Sequence, residues 1–103
     1  MKTPNIDIVV WKNAFGVWSA QLMKYDIYAE GVDIQDALDN LDCTVHGEKE
    51  YCIKHNVPLS SIGTPPAINL DTYRWKEELS FATADKISDF LFGKPKATLL
   101  YVE

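Results

Sequence analysis

The chain has 103 residues, of which 47% are hydrophobic and 24% charged, with 15 acids against 10 bases and a formal net charge of −5. That length suits one domain spanning 1–103 with a single core, and the composition is that of a folded chain rather than a disordered one. A net negative charge disfavours non-specific binding to nucleic acid, which needs a positive surface to displace counterions. No apolar run approaches the roughly 20 residues of a membrane span, and Met1-Lys2-Thr3-Pro4 lacks the apolar stretch of a secretion signal. The expectation is a cytoplasmic protein with no membrane partner.

Residues 6–12, Ile-Asp-Ile-Val-Val-Trp-Lys, are β-branched and aromatic and predict a strand with Ile6, Ile8 and Val10 on one face. Asn13-Ala14-Phe15-Gly16 reads as a tight turn in which Gly16 adopts positive φ. Residues 17–23 form the return strand, with Trp18, Ala20 and Leu22 on one side, and a shorter third strand falls at Ile27-Tyr28-Ala29-Glu30, ending at Gly31. A three-stranded antiparallel meander this small needs a cover on its apolar face. The cover is the next segment. Asp33 is a natural N-cap, Asp36 adds favourable charge in the first turn, and Ile34, Ala37, Leu38, Leu41, Val45 and Cys52 recur at helical spacing. One long helix over 34–55 follows, loosened at Gly47 and closed by Pro58.

Residues 58–72 are linker-like, rich in Pro, Ser and Gly. Beyond them Tyr73-Arg74-Trp75-Lys76 and Leu79-Ser80-Phe81 suggest extended pieces. Thr83 is placed to cap a short helix over 84–92 carrying Ile87, Phe90 and Leu91, and Gly93 and Pro95 end it. Residues 97–102 read as a last strand that either joins the sheet edge or exchanges with a second copy. The fold class is α+β.

The stretch Gly16-Val-Trp-Ser-Ala-Gln, followed by Ala29-Glu-Gly-Val-Asp-Ile-Gln-Asp-Ala-Leu-Asp-Asn-Leu41, resembles HicB, the antitoxin of bacterial HicA–HicB modules, and its HicB-like relatives. The resemblance covers roughly residues 5–56, leaving 57–103 as an extension. It implies a truncated RNase H-like fold, an antiparallel sheet with one long helix across it and no catalytic centre, in a protein that covers a small toxic RNase and dimerises. The family's operator-binding segment is not carried over, because 57–103 holds no clear helix-turn-helix pair and no basic strand for a ribbon-helix-helix.

The spacing Cys43-x-x-His46 and Cys52-x-x-His55 raises a zinc site. On a continuous helix Cys52 lies about 180° from Cys43, so four ligands cannot converge unless the helix breaks at Gly47. The expectation is a buried Cys52, a surface Cys43, His46 and His55, and no metal. Asp33, Asp36, Asp39 and Asp42 recur every three residues, drifting around the helix but opposite its apolar stripe. From Asp26 to Glu50 there are eight acids and one base, Lys49. Such a face is either merely solvated or meets a basic partner, whose association complementary charge would speed. Asp7, on the first strand, is the one acid placed for two-metal nuclease chemistry, and the return strand offers no second carboxylate. Trp11, Phe15, Trp18, Tyr25 and Tyr28 gather in the meander without the positive groove a single-strand binder needs.

These readings converge on a non-enzymatic protein-binding domain of HicB-like antitoxin type, with no catalytic residue and no cofactor. It masks a partner protein through Asp33, Asp36, Asp39, Asp42, Trp11 and Trp18, with homodimerisation by strand pairing also open to it. Two alternatives stand beside it. One is a phage- or element-encoded acidic inhibitor of a nucleic-acid-binding defence protein. The other is a nuclease of RNase H descent.

Overall fold

In a computed structural model of the chain, which describes residues 6–66 and 81–102, a four-stranded sheet carries two helices on one face. The elements run β1 (Ile8–Lys12), β2 (Trp18–Leu22), β3 (Tyr28–Gly31), α1 (Ile34–Lys54), a single 3-10 turn (Leu59–Ile62), α2 (Ala82–Phe92) and β4 (Leu99–Val102). The strand order is β3-β2-β1-β4. β1 to β3 form the expected antiparallel meander, and β4 joins its edge parallel to β1. The last strand therefore completes its own sheet. The extended pieces expected at 73–76 and 79–80, and residues 67–72 of the linker, lie outside the described residues.

Alternation on the strands decides which side chains meet the helices. Ile8 and Val10 of β1, Ala20 and Leu22 of β2, Ala29 of β3 and Leu99 of β4 pack with Ala37, Leu38, Leu41 and Val45 of α1 and with Ala84 and Ile87 of α2. The register places Val10, Ala20 and Ala29 side by side, so small residues lie where α1 crosses the meander. Ile34, expected on the same stripe, is half-buried at the helix start. Ile6 lies ahead of β1 rather than in it. The opposite face is also buried at its centre: Val9 and Leu100 have 0% and 3% exposure, a burial the sequence alone did not predict.

The termini of α1 explain its length. Asp33 caps it by accepting from Asp36 N at 2.7 Å, and the Asp36 carboxylate reaches back to Val32 N at 2.9 Å, a reciprocal lock close to a capping box. Gly31 lets this first turn lie against β3, since a Cβ there would stand 2.6 Å from the carbonyl carbon of Asp36. Gly47 faces open space and does not interrupt the helix. The stop comes before Pro58: Asn56 turns left-handed at φ 53°, and its N–H and that of Val57 bond back to Ile53 and Cys52 carbonyls. That is a Schellman motif with asparagine in glycine's usual place.

α2 starts differently from the expectation. Its N-cap is Phe81, without a side-chain bond, and Thr83 lies inside the helix. The Thr83 hydroxyl accepts from Gln35 Nε2 at 2.7 Å and donates to Asp39 Oδ1 at 3.2 Å, so it fastens α2 to α1 instead of capping. Farther along, the Phe90 ring lies tilted against His46 with centroids 4.0 Å apart, and Lys49 sits 4.1 Å over the Phe90 ring while donating to its carbonyl at 3.1 Å. Gly93 ends α2 in the left-handed region, as its sequence position requires.

β4 is held at its start by Asp7. The Asp7 carboxylate accepts from Thr98 N at 2.8 Å and from Lys94 Nζ at 3.0 and 3.1 Å. The Asp7 and Ile8 N–H groups donate to Thr98 O. A residue singled out as a possible metal ligand is thus the latch of the parallel strand pair.

Candidate functional site

The four helix aspartates have four different surroundings. Asp33 and Asp39 are exposed, whereas Asp36 and Asp42 are partly buried. A step of three residues rotates about 300°, so each aspartate falls about 60° behind the last, and the series walks round the helix from the sheet end towards α2. Asp36 is engaged on Val32 N. Asp39 takes hydrogen bonds from Gln35 and Thr83. The Oδ1 of Asp42 is sealed from water without a well-aligned hydrogen bond, and His46 Nε2 stands 3.3 Å away. Asp33 Oδ1 accepts from Asp36 N, and among the described residues its Oδ2 takes no hydrogen bond, which is equally true of Asp36 Oδ1 and Asp39 Oδ2.

The aromatic residues of the meander divide in the same way. Trp11 lies on the face away from the helices, 6.0 Å from Tyr28. There the Tyr28 hydroxyl donates to Glu30 at 2.6 Å and shares a 2.9 Å hydrogen bond with Ser19. Burial, reinforced by Glu30 and opposed by the Ser19 hydrogen bond, holds the Tyr28 phenol above its ordinary pKa. Trp18 lies on the helix face, 5.6 Å from Tyr101. Tyr25 stacks on Phe92 at the far end of the sheet. The sequence placed Trp11 and Trp18 in one contact set, but the pleat puts them on opposite sides.

Trp18 and Asp33 do come together. With Ile34, Gln35 and Phe81 they line an open cleft of about 310 Å³ between the start of β2, the start of α1 and the entry to α2. The lining is almost wholly apolar, so Asp33 and Gln35 border it through carbon atoms beside Trp18, Ile34 and Phe81. The Gln35 amide orientation is fixed by its partners, because its NH₂ donates to the Asp39 carboxylate at 2.8 Å and to Thr83 at 2.7 Å, and a carboxylate can only accept. Among the described residues Gln35 Oε1 takes no hydrogen bond. Ile34, Gln35 and Phe81 were not anticipated. Phe81 lies 46 residues beyond Gln35 in the chain, and no local pattern could pair them.

The same end of the sheet carries two exposed apolar side chains, Phe15 at 92% and Val32 at 80%. The turn that presents Phe15 is rigid. Asn13 Oδ1 accepts from Phe15 N at 2.9 Å and Val17 N at 3.0 Å, and Gly16, at φ 82°, donates to Asn13 O. An aromatic ring held out on such a turn loses little freedom on binding, which is the property of an interface anchor.

Two other arrangements are less suited to a ligand. A larger cleft of about 480 Å³ at the opposite end of the sheet is lined by Ile6, Asp7, Met23, Lys24, Phe92 and Lys94, but Asp7 and Lys94 satisfy one another across it. The Cys/His quartet lies on an unbroken helix with Cys43 exposed and Cys52 buried, so the two pairs face opposite ways. Among the described residues no group of three or more potential metal ligands converges, and no helix is long and apolar enough to cross a membrane.

No protein-family model matches this chain, and neither a curated protein nor a solved structure matches it significantly.

Proposed function

We propose that this chain is a non-enzymatic binding domain of HicB-like antitoxin type, which masks a partner protein such as a small RNase toxin. The observation that carries the reading is the concentration of binding features at one end of the sheet: the Trp18–Ile34–Phe81 cleft, the uncommitted Asp33 oxygen and the rigidly displayed Phe15. An apolar centre with an acidic rim suits a basic protein surface. The meander followed by one long helix is the arrangement that the resemblance over 5–56 implies.

The nuclease alternative loses its best residue. A two-metal centre needs carboxylates turned to the ions, whereas both Asp7 oxygens are engaged by Lys94 and Thr98. The charge-mimic alternative requires a row of solvated acids, whereas Asp39 is bonded to Thr83 of α2 and Asp42 is partly buried beside His46 of its own helix.

Coexpression with a small basic protein encoded beside its gene tests the reading. The two should copurify, the partner's ribonuclease activity should be suppressed, and Trp18→Ala with Asp33→Lys should release it. The complex should survive moderate salt, since an apolar contact is not screened, whereas a charge mimic would let go. Cleavage of RNA or DNA by the purified chain in magnesium or manganese, abolished by Asp7→Asn, would overturn it.

A further inference from the structure

Phe15 and the cleft between Trp18, Ile34 and Phe81 lie at the same end of the sheet, a projecting ring and an apolar hollow. We infer that a second copy of this chain fills the cleft: two copies meet about a two-fold axis, and each Phe15 ring enters the other's hollow. The inference rests on the reading of this end as the partner-binding surface and adds how that surface is regulated. The self-paired chain hides the contacts its partner needs, so self-association and partner binding exclude one another.

The knob is Phe15, at 92% the most exposed of the large hydrophobic residues described, on a turn that Asn13 already orders. Val32, 80% exposed, widens the apolar surface at that end. The hole is a cleft of about 310 Å³ whose lining is almost wholly apolar. A cavity of about 150 Å³ holds benzene, so a phenyl ring has room. Such a lining selects an apolar occupant, because a polar one would surrender its water without gaining a hydrogen bond. Symmetry then selects the owner of the ring. A two-fold contact is self-complementary, each copy receiving what it offers. One surface carrying both knob and hole is satisfied by its own copy, whereas an unrelated chain would have to supply both. Charge agrees with shape. Lys12 lies opposite Trp18 in the strand register, is exposed, and forms no ion pair among the described residues. Asp33 is exposed at the cleft and likewise meets no base among them. In the two-fold contact Lys12 accompanies Phe15 to the rim where the other copy's Asp33 stands. Strand pairing along β3 is the poorer route to a dimer: β3 turns the Glu30 carbonyl away from β2, and Asn40 Nδ2 already donates to it at 2.7 Å.

The test uses the full chain alone, followed by sedimentation equilibrium and NMR diffusion from about 20 μM to about 2 mM. It should dimerise with a Kd of roughly 0.1–1 mM, the strength of a contact below about 1,200 Å². In a mixture of isotope-labelled and unlabelled chains, NOEs between chains should join the Phe15 ring to Trp18 and Ile34. Phe15→Ser should weaken dimerisation at least about a hundredfold, because each dimer loses two rings and burying one is worth at least about tenfold. Phe15→Leu, which keeps an apolar knob, should retain most of it. Lys12→Glu, which sets like charges together, should weaken it severalfold. A chain that stays monomeric throughout that range would overturn the inference. So would a dimer that Phe15→Ser leaves as tight, or contacts between chains that bypass the cleft. Each of these results stands whether or not a partner copurifies. A dimer formed through Phe15 with no copurifying partner would instead count against the masking reading.

Discussion

Two glycine-to-alanine substitutions in the same chain should move stability in opposite directions. At Gly31 the new methyl carbon would lie 2.6 Å from the Asp36 carbonyl carbon and 2.8 Å from Ala37 Cα. Carbon atoms rest at about 3.5–4.0 Å, so the shortfall is about 1 Å. Both neighbours are backbone, and no rotamer change relieves the clash. The first turn of α1 must move off β3, loosening Ala37, Leu38 and Leu41, which are wholly buried. Overpacking costs about 1–3 kcal/mol, and a contact on rigid backbone belongs at the upper end. In a domain of this size about 3 kcal/mol lowers Tm by about 12–24 °C. At Gly47 the new methyl meets nothing within 4 Å. There alanine should add about 0.5–1 kcal/mol of helix preference and raise Tm by roughly 2–8 °C. Thermal unfolding followed by helical circular dichroism reads both. A Gly31→Ala protein melting within a few degrees of the parent would refute the close packing of α1 on β3.

Three further outcomes follow from other parts of the molecule. Asp7→Ala removes the Lys94 ion pair and the Thr98 bond, so it should cost about 2 kcal/mol and raise amide exchange in β4 before the meander; uniform exchange would show that the latch is not local. Asn13→Ala should cost about 1–2 kcal/mol by freeing two turn N–H groups, whereas Phe15→Ser, at 92% exposure, should alter stability by less than about 0.5 kcal/mol yet weaken partner binding. Tyr28 is held above its ordinary pKa, so the folded state retains its proton more tightly than the unfolded chain. Its contribution is complete below about pH 10 and is lost as pH rises through the folded value; Tyr28→Phe should flatten that alkaline decline in denaturant melts.

The local architecture was legible because it is written in short-range patterns. Alternation at 8–12 and 18–22, Asp33 before an apolar stripe, and Gly93 after another each act within a few residues. What escaped involves partners distant in the chain. Thr83 looks like a cap, and only the arrival of Gln35 and Asp39 beside it makes it a fastener between helices. The stop of α1 was assigned to Pro58, but Asn56 accepts a left-handed conformation first. The candidate site shows the same division. Asp33 and Trp18 were visible as an acid at a helix start and an aromatic residue on a strand, whereas Trp11 reads alike in sequence and lies on the other face. Asp39 and Asp42 share the spacing of Asp33, but Thr83 of α2 bonds Asp39 and Asp42 is partly buried beside His46 of α1. Phe81 completes the cleft only because the chain returns to it.

The parallel pairing of β1 with β4 also has a kinetic side. The Asp7–Thr98 bond joins positions 91 apart in the chain. During synthesis one flank of the Ile8-Val9-Val10 strand has to wait for the segment around residue 98 before its native neighbour exists, and contacts of such separation form late. In that interval the nascent chain exposes a β-branched edge, the kind of template on which chains adhere to one another. A truncation ending before residue 98 would make that interval permanent, so solubility should fall sharply there even though the meander and α1 are intact.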